Sequence, residues 1–179
     1  MAGLMIDFTK VVRSDSYVAE DEHDTDLVRE MEASAKAFLE AFAWCRGAVD
    51  AYVGNVAVGG VVAVFLFRIY PARSEVDEWL WVVVGDLPPA YLVTDGAPNP
   101  ACALSTYLEL MGEWVKAAQA GEPVDELIPV LTHGSAEDIP PTAENAEMLA
   151  SRLEFVEERI LSSYRNDLSA CITESDSAS

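Results

Sequence analysis

Carboxylates crowd into one short stretch near the N-terminal end of this chain of 179 residues. The acids of that stretch are Glu20, Asp21, Glu22, Asp24 and Asp26. Such a run could bind Ca²⁺, but a calcium loop of the EF-hand type needs a central Gly, and this stretch has none. A zinc site is also disfavoured, because His23 and His133 are 110 positions apart. We therefore expect no metal site but a solvated acidic surface that a basic protein could contact.

A second set of candidate residues should meet at one end of a predicted sheet, where several loops come together. Its members are Arg46, Arg73, Asp77, Asp95 and Cys102. Cys102 falls in the first turn of a predicted helix, where the helix dipole lowers the pKa of a thiol and can create a nucleophile. No His is near it in sequence to act as a base, and a small buried apolar side chain is the more ordinary interpretation. The set is a candidate small-molecule or enzymatic site.

Other signatures of catalysis or cofactor binding are weak. Trp79 and Trp81 share one strand face and could form a stacking platform, although core packing is the usual role of such a pair. The Gly59-Gly60 pair is followed by a strand and has no Lys nearby, unlike a phosphate-binding loop. The sequence also has no Gly-x-Ser-x-Gly motif. We expect no cofactor, and we favour a binding protein over an enzyme without excluding the latter.

The charge of the chain is strongly negative and unevenly distributed. Eleven Lys and Arg stand against 31 Asp and Glu, a formal net charge of −20. Residues 15–32 carry a net −7 and residues 122–179 a net −10, whereas residues 50–100 carry only −4. Such a field repels nucleic acids and anionic membranes. It favours a basic partner, although solubility alone also explains a charge of this kind.

The cysteines and the apolar runs indicate a cytoplasmic protein. Cys45, Cys102 and Cys171 are odd in number, widely spaced and without a Cys-x-x-Cys pair, so we expect reduced thiols rather than a disulfide framework. The first ten residues do not have the pattern of a secretory leader. The longest apolar run, Val56–Phe67, is too short to span a bilayer.

Three main helices are predicted from apolar periodicity and capping residues. Apolar side chains recur every three or four positions over Leu27–Cys45, which indicates a helix with Asp24 or Asp26 as its N-cap. Asn99-Pro100 has the order expected for an N-cap followed by the first helical position. Thr142 is the expected cap of a last long helix.

Four strands are predicted between the first and second helices. Two lie within Asp50–Tyr70 and are joined by a tight turn at Gly59-Gly60. The third is Trp79–Val84, and a turn at Gly85–Pro89 leads into the fourth. Sequential strands with short links form an antiparallel meander, so the fold class is α+β, in the order α-β-β-β-β-α-α.

We expect a single domain over residues 1–172, followed by a disordered polar tail at 173–179. Both faces of the second and third strands are apolar, and the first helix should cover one face of the sheet almost alone. A helix is about 10 Å wide, whereas four strands span roughly 15 to 20 Å. An apolar strip would remain, and a homodimer through that strip is expected to cover it.

Two functions from different classes remain open. The first is a small acidic cytoplasmic protein-interaction domain that binds a basic partner, as immunity proteins against nuclease toxins and antitoxins do. The alternative is a small-molecule-binding or enzymatic domain with its site near Cys102 and Asp95. The reactivity of the Cys102 thiol would distinguish them.

Overall fold

The structure is a computed structural model, and it describes residues 6–132 and 137–171. One antiparallel sheet with the strand order β1-β2-β3-β4-β5 lies at its centre. The strands are β1 Val11–Arg13, β2 Cys45–Val58, β3 Val62–Pro71, β4 Trp79–Gly85 and β5 Leu87–Val93. The helices are α1 Glu22–Glu40, α2 Pro100–Ala120, α3 Ala143–Arg159 and the one-turn α4 Arg165–Leu168. The predicted α+β class with an antiparallel meander is confirmed, but the count of four strands is wrong because it misses β1.

Strand β1 has no clear signature in the sequence because it is only three residues long. It pairs antiparallel with β2 in the register Val11↔Gly54, Val12↔Val53 and Arg13↔Tyr52. A short 3-10 turn precedes it, and the Asp7 carboxylate caps this turn by accepting the Thr9 N–H at 3.0 Å. Pairing with a partner about forty positions away creates this strand, and local periodicity cannot reveal such a partner.

The turn between β2 and β3 lies at the predicted Gly59-Gly60 pair, and Gly60 has a φ of 77°. The turn between β4 and β5 differs from the prediction, because Pro88 and Pro89 lie inside β5 rather than in the turn. The chain reverses instead at Gly85 and Asp86, where Gly85 has a φ of 146°. Two adjacent prolines are tolerated in β5 because it is an edge strand and because its pairing with β4 is irregular between Val83 and Gly85, opposite the prolines.

The helices divide between the two faces of the sheet. Helix α1 covers one face, where Met31, Ala35 and Leu39 join the core that contains Phe65 and Phe67. Helix α2 covers the other face, and α3 packs on α2. Trp81 lies in this second core with an exposure of 0%, and its indole Nε1 donates to the Ala97 carbonyl at 2.9 Å. The helices therefore divide between the two faces as expected, and Tyr17, Trp44 and Val76 also pack on the core beneath α1.

Helix α1 begins and ends earlier than predicted. Asp21 is the N-cap in place of Asp24 or Asp26, and its carboxylate accepts the Asp24 N–H at 2.8 Å. The acids that follow are therefore helical, and the positive end of the helix dipole favours them there. At the other end the helix stops at Glu40, because Cys45 pairs with Pro71 as the first residue of β2. Strand pairing overrides the helical spacing there.

The other two helix starts agree with the sequence. Asn99 caps α2 by accepting the Cys102 N–H at 2.9 Å, with Pro100 as the first helical residue. Thr142 caps α3 by accepting the Asn145 N–H at 3.1 Å. The predicted tail at 173–179 lies outside the described residues. Within the part of the chain that the structure describes, no helix has the length and apolar character needed to cross a membrane.

Candidate functional site

The acidic stretch predicted as a loop leads into helix α1 and forms its start. Glu20, Asp21, Glu22 and Asp26 are exposed, and Asp24 is half-buried. The chain places them at the helix N-terminus because Asp21 caps the first turn. Over residues 6–132 and 137–171, none of these five carboxylates forms an ion pair with a Lys or Arg side chain. This acidic end of α1 is therefore a negatively charged surface open to a partner.

A cavity lies beside the acidic end of α1, between the helix and the β4–β5 hairpin. Its volume is about 420 Å³. The lining residues come from α1 and from the ends of the two hairpins: Leu27, Glu30, Met31, Ser34, Gly60, Val84, Gly85 and Asp86. Leu27, Met31 and Val84 make part of its lining apolar, and Glu30 and Asp86 supply carboxylates. An apolar floor with acids at the rim suits a ligand that is both apolar and cationic.

A cluster of four aromatic rings lies further along the same flank of α1. The ring cluster consists of Phe38, Phe42, Trp44 and Tyr91, all of them partly exposed. The rings of Phe42 and Trp44 stack with centroids 5.0 Å apart, and Tyr91 meets Trp44 edge-on at 4.9 Å. Phe38 meets Phe42 edge-on at 5.2 Å. Neighbouring rings hold each other in place, so the cluster offers a rigid apolar surface.

The cavity and the ring cluster belong to one feature, which we call the α1 groove. Its helix side is the stripe Leu27, Met31, Ser34 and Phe38, spaced by four, three and four positions as one helix flank requires, and Phe42 follows just beyond the end of the helix. Its sheet side runs from Val84 to Tyr91, since Tyr91 pairs with Val82 two residues from Val84. Val93, which follows on the same strand face as Tyr91, is 47% exposed. The groove is thus the part of the sheet that α1 leaves incompletely covered.

The second predicted set of site residues is only partly brought together. The strand register places Arg46, Arg73, Asp77 and Asp95 at the same end of the sheet, and all four side chains are exposed. No hydrogen bond or ion pair joins any two of them in the described parts of the chain. Four solvated side chains without shared contacts do not form an organised catalytic site.

The prediction of reduced thiols is wrong for Cys102, the fifth member of the set. It is 1% exposed and forms a disulfide with Cys171, 69 positions away, with the two Cα atoms 5.4 Å apart. A disulfide sulfur carries no proton to lose, so the helix dipole has no thiol to activate in this state. Cys45 is free and buried, and burial raises the pKa of its thiol. Wide spacing in sequence concealed the pair, because the fold alone brings it together.

A buried charged residue that sequence reasoning missed lies beside this disulfide. The Asp167 carboxylate accepts from Lys10 Nζ and from Asn55 Nδ2, each at 2.9 Å, and the Asn99 amide donates to the Asp167 carbonyl. Burial by itself raises the pKa of the Asp167 carboxyl, but the hydrogen bonds from Asn55 and Lys10 outweigh it and hold the pKa below its usual range. Both side-chain partners are more than a hundred positions away, so no local pattern marks this site. These polar groups fulfil one another's hydrogen-bonding capacity, which is typical of a buried structural contact.

Trp79 differs from its neighbour Trp81 in being half-buried near the chain's N-terminal arm. Its ring meets Phe8 edge-on at 5.5 Å, with Tyr52 6.0 Å away. Arg68 lies over the Trp79 ring and pairs with Glu78. The aromatic and charged groups here contact one another across the strands, so Trp79 and Trp81 do not form a shared stacking platform.

The described residues contain no group of three or more His, Cys, Asp or Glu placed to hold a metal ion. The acidic end of α1 and the α1 groove beside it are two surface features that a partner could contact. Comparison with protein-family models, with curated proteins and with solved structures finds no match to this chain.

Proposed function

We propose that this protein is a small acidic cytoplasmic interaction domain that binds and neutralises a basic protein, as immunity proteins and antitoxins do. The observation that carries the proposal is the acidic end of α1, whose carboxylates have no cationic partner within the described chain. The helix dipole favours acids at this end, but like charges so close together also repel one another. A partner with Lys and Arg side chains would relieve the repulsion among them.

The rest of the charge distribution supports the same function. The six described ion pairs use only five carboxylates, Asp15, Asp50, Glu78, Asp86 and Asp167. Most of the 31 acidic residues therefore contribute to the external field of the molecule. A field of this sign accelerates encounter with a basic protein and disfavours nucleic acids.

The alternative of a small-molecule or enzymatic site near Cys102 and Asp95 draws no support from the geometry. Cys102 is buried in a disulfide, and Asp95 is exposed in the loop before α2. A cavity that combines apolar and charged groups lies instead on the opposite face of the sheet, in the α1 groove.

The experiment compares two variants that each remove three charges. The first carries Glu20→Gln, Glu22→Gln and Asp26→Asn at the acidic end of α1. The control carries Glu147→Gln, Glu154→Gln and Glu157→Gln, which are exposed on α3. Both change the formal net charge from −20 to −17. Each immobilised variant is used to capture partner proteins at low and at high ionic strength. Each captured protein is then purified, and its rate of association with the two variants is measured.

We expect basic partners whose retention falls as salt rises, because screening weakens exposed charge interactions. The α1 variant should associate more slowly than the α3 variant, since only the former changes the proposed contact. Retention of neutral or acidic partners alone, insensitive to salt, would refute the proposal. Equal effects of the two variants would show that net charge acts without a localised surface.

A further inference from the structure

The α1 groove has two chemically different ends. At the α1 N-terminal end, Glu30 and Asp86 line the cavity together with the apolar Leu27 and Val84. Asp86 lies 3.5 Å from the Arg152 guanidinium, so Glu30 is the unpaired carboxylate of this end within the described chain. At the other end the ring cluster is apolar and rigid. A ligand that fits both ends must itself be cationic at one end and apolar at the other.

The length of the groove limits what this ligand can be. Leu27 and Phe38 are eleven positions apart on α1, about 16 Å at 1.5 Å per helical residue, and the Phe42 ring lies a further 5.2 Å from the Phe38 ring, beyond the end of the helix. An extended chain rises about 3.3 Å per residue, so roughly seven residues span that distance. A cation of the size of a metabolite would occupy only one end.

From this we infer that the α1 groove binds an extended segment of the basic partner, about seven residues long. A Lys or Arg side chain of the segment meets Glu30, which has no cationic partner in the described chain, and an aromatic or leucine side chain at its other end packs on the ring cluster. This presupposes the basic partner proposed above and adds where it docks and with which side chains. Apolar anchors of this kind supply most of the binding energy in peptide recognition, and the charges supply orientation and speed.

Charge also decides between this occupant and a second copy of the chain. A homodimer through the same strip is the prediction from the sequence, and it would bring together two molecules of net charge −20. The mutual repulsion of two such molecules costs free energy, most of all at low salt. A cationic segment makes the opposite contact, and its apolar end still covers the exposed rings.

The test uses three synthetic heptapeptides titrated into the ¹⁵N-labelled protein. The first has two lysines at one end, three serines in the middle, and a leucine and a phenylalanine at the other end. The second is a scrambled peptide of the same composition. In the third, serine replaces both apolar residues. Amide and indole shifts are followed for the wild type, for Glu30→Lys, and for Glu147→Lys, whose exposed side chain lies on α3.

The expected result is a shift of the Trp44 indole and of α1 groove amides with the first peptide only. Glu30→Lys should weaken its binding at least tenfold, whereas Glu147→Lys should leave it within about twofold. Absence of shifts in the groove at millimolar peptide would overturn the inference, as would equal binding of all three peptides. Binding confined to residues 20–26 would overturn it too but leave the proposed function standing. A mass that doubles with concentration, together with groove shifts on dilution, would assign the groove to a second copy.

Discussion

Lys10 and Asp167 form an ion pair that joins the two ends of the described chain, with 2.9 Å between Lys10 Nζ and an Asp167 carboxylate oxygen. The carboxylate is buried and also accepts from Asn55 on β2. The Asp167 carbonyl accepts from Asn99, the residue that caps α2. One residue thereby ties the segment after α3 to the N-terminal arm, to the sheet and to a helix start.

Asp167→Asn should lower the free energy of unfolding by about 1.5–3 kcal/mol at neutral pH, the usual contribution of a hydrogen bond to a charged group. The Asp167 pKa in the folded protein lies below the ordinary aspartate value of 3.8. Its contribution is therefore fully present above that value and is lost as the pH falls through the folded pKa. Urea unfolding from pH 7 to pH 2 should show the two proteins converging in stability at the acidic end.

The control for this prediction is Asp95→Asn, since Asp95 is exposed in the loop before α2. Its effect should stay within about 0.5 kcal/mol at all pH values, as for most surface substitutions. A difference between Asp167→Asn and the wild type that grows towards low pH would contradict the direction of the pKa shift.

Trp81→Ala should destabilise the protein by about 3–5 kcal/mol, the usual cost of removing a large buried aromatic side chain. Trp81 is fully buried under α2, and the substitution also removes its hydrogen bond to the Ala97 carbonyl. Trp79→Ala is the matched control on the same strand, and its smaller burial predicts a smaller loss. Denaturant melts measure both, and a loss below about 1 kcal/mol for Trp81→Ala would mean that this ring is not in the core.

Gly85→Ala should be strongly destabilising, whereas Gly112→Ala should not. Gly85 has a φ of 146°, and a Cβ atom there would lie 2.2 Å from the Val61 carbonyl oxygen. Gly112 lies inside α2 with open space around the position of a Cβ atom. Ala at that position should raise stability by about 0.5–1 kcal/mol through helix propensity. Thermal melts that rank the two variants in the reverse order would disprove this reading of the β4–β5 turn.

The thiol count of the isolated protein tests the disulfide and the cytoplasmic location together. With the Cys102–Cys171 bond intact, unfolding without reductant should expose a single reactive thiol, that of Cys45. Reductant should raise the count to three. Replacing both Cys102 and Cys171 by Ser should cost about 2–4 kcal/mol. Three reactive thiols without added reductant would contradict the disulfide and would agree with the location predicted from the sequence.

The features predicted correctly from the sequence depend on residues close together in the chain. Asn99-Pro100 and Thr142 begin helices as expected, and Gly59-Gly60 forms the predicted hairpin turn. Each of these signals acts within a few positions, so the local sequence suffices. The apolar strip beside α1 also followed from simple widths of helices and strands, and the structure places Tyr91 and Val93 there.

The features that were missed depend on partners distant in sequence. Strand β1 exists through its pairing with β2, and Asp167 is held by Lys10 and Asn55. The α1 helix stops early because Cys45 joins β3. The ring cluster likewise brings Phe38 of α1, and Phe42 and Trp44 after the helix, together with Tyr91 of the edge strand β5. Composition and periodicity carry no information about such distant contacts.

The bond between Cys102 and Cys171 closes a covalent ring that contains most of α2, all of α3 and the connection between them. A protease that cuts the chain once anywhere between these two cysteines therefore opens the ring without separating the molecule into two pieces. The nicked protein should migrate at full mass without reductant and as two fragments with it.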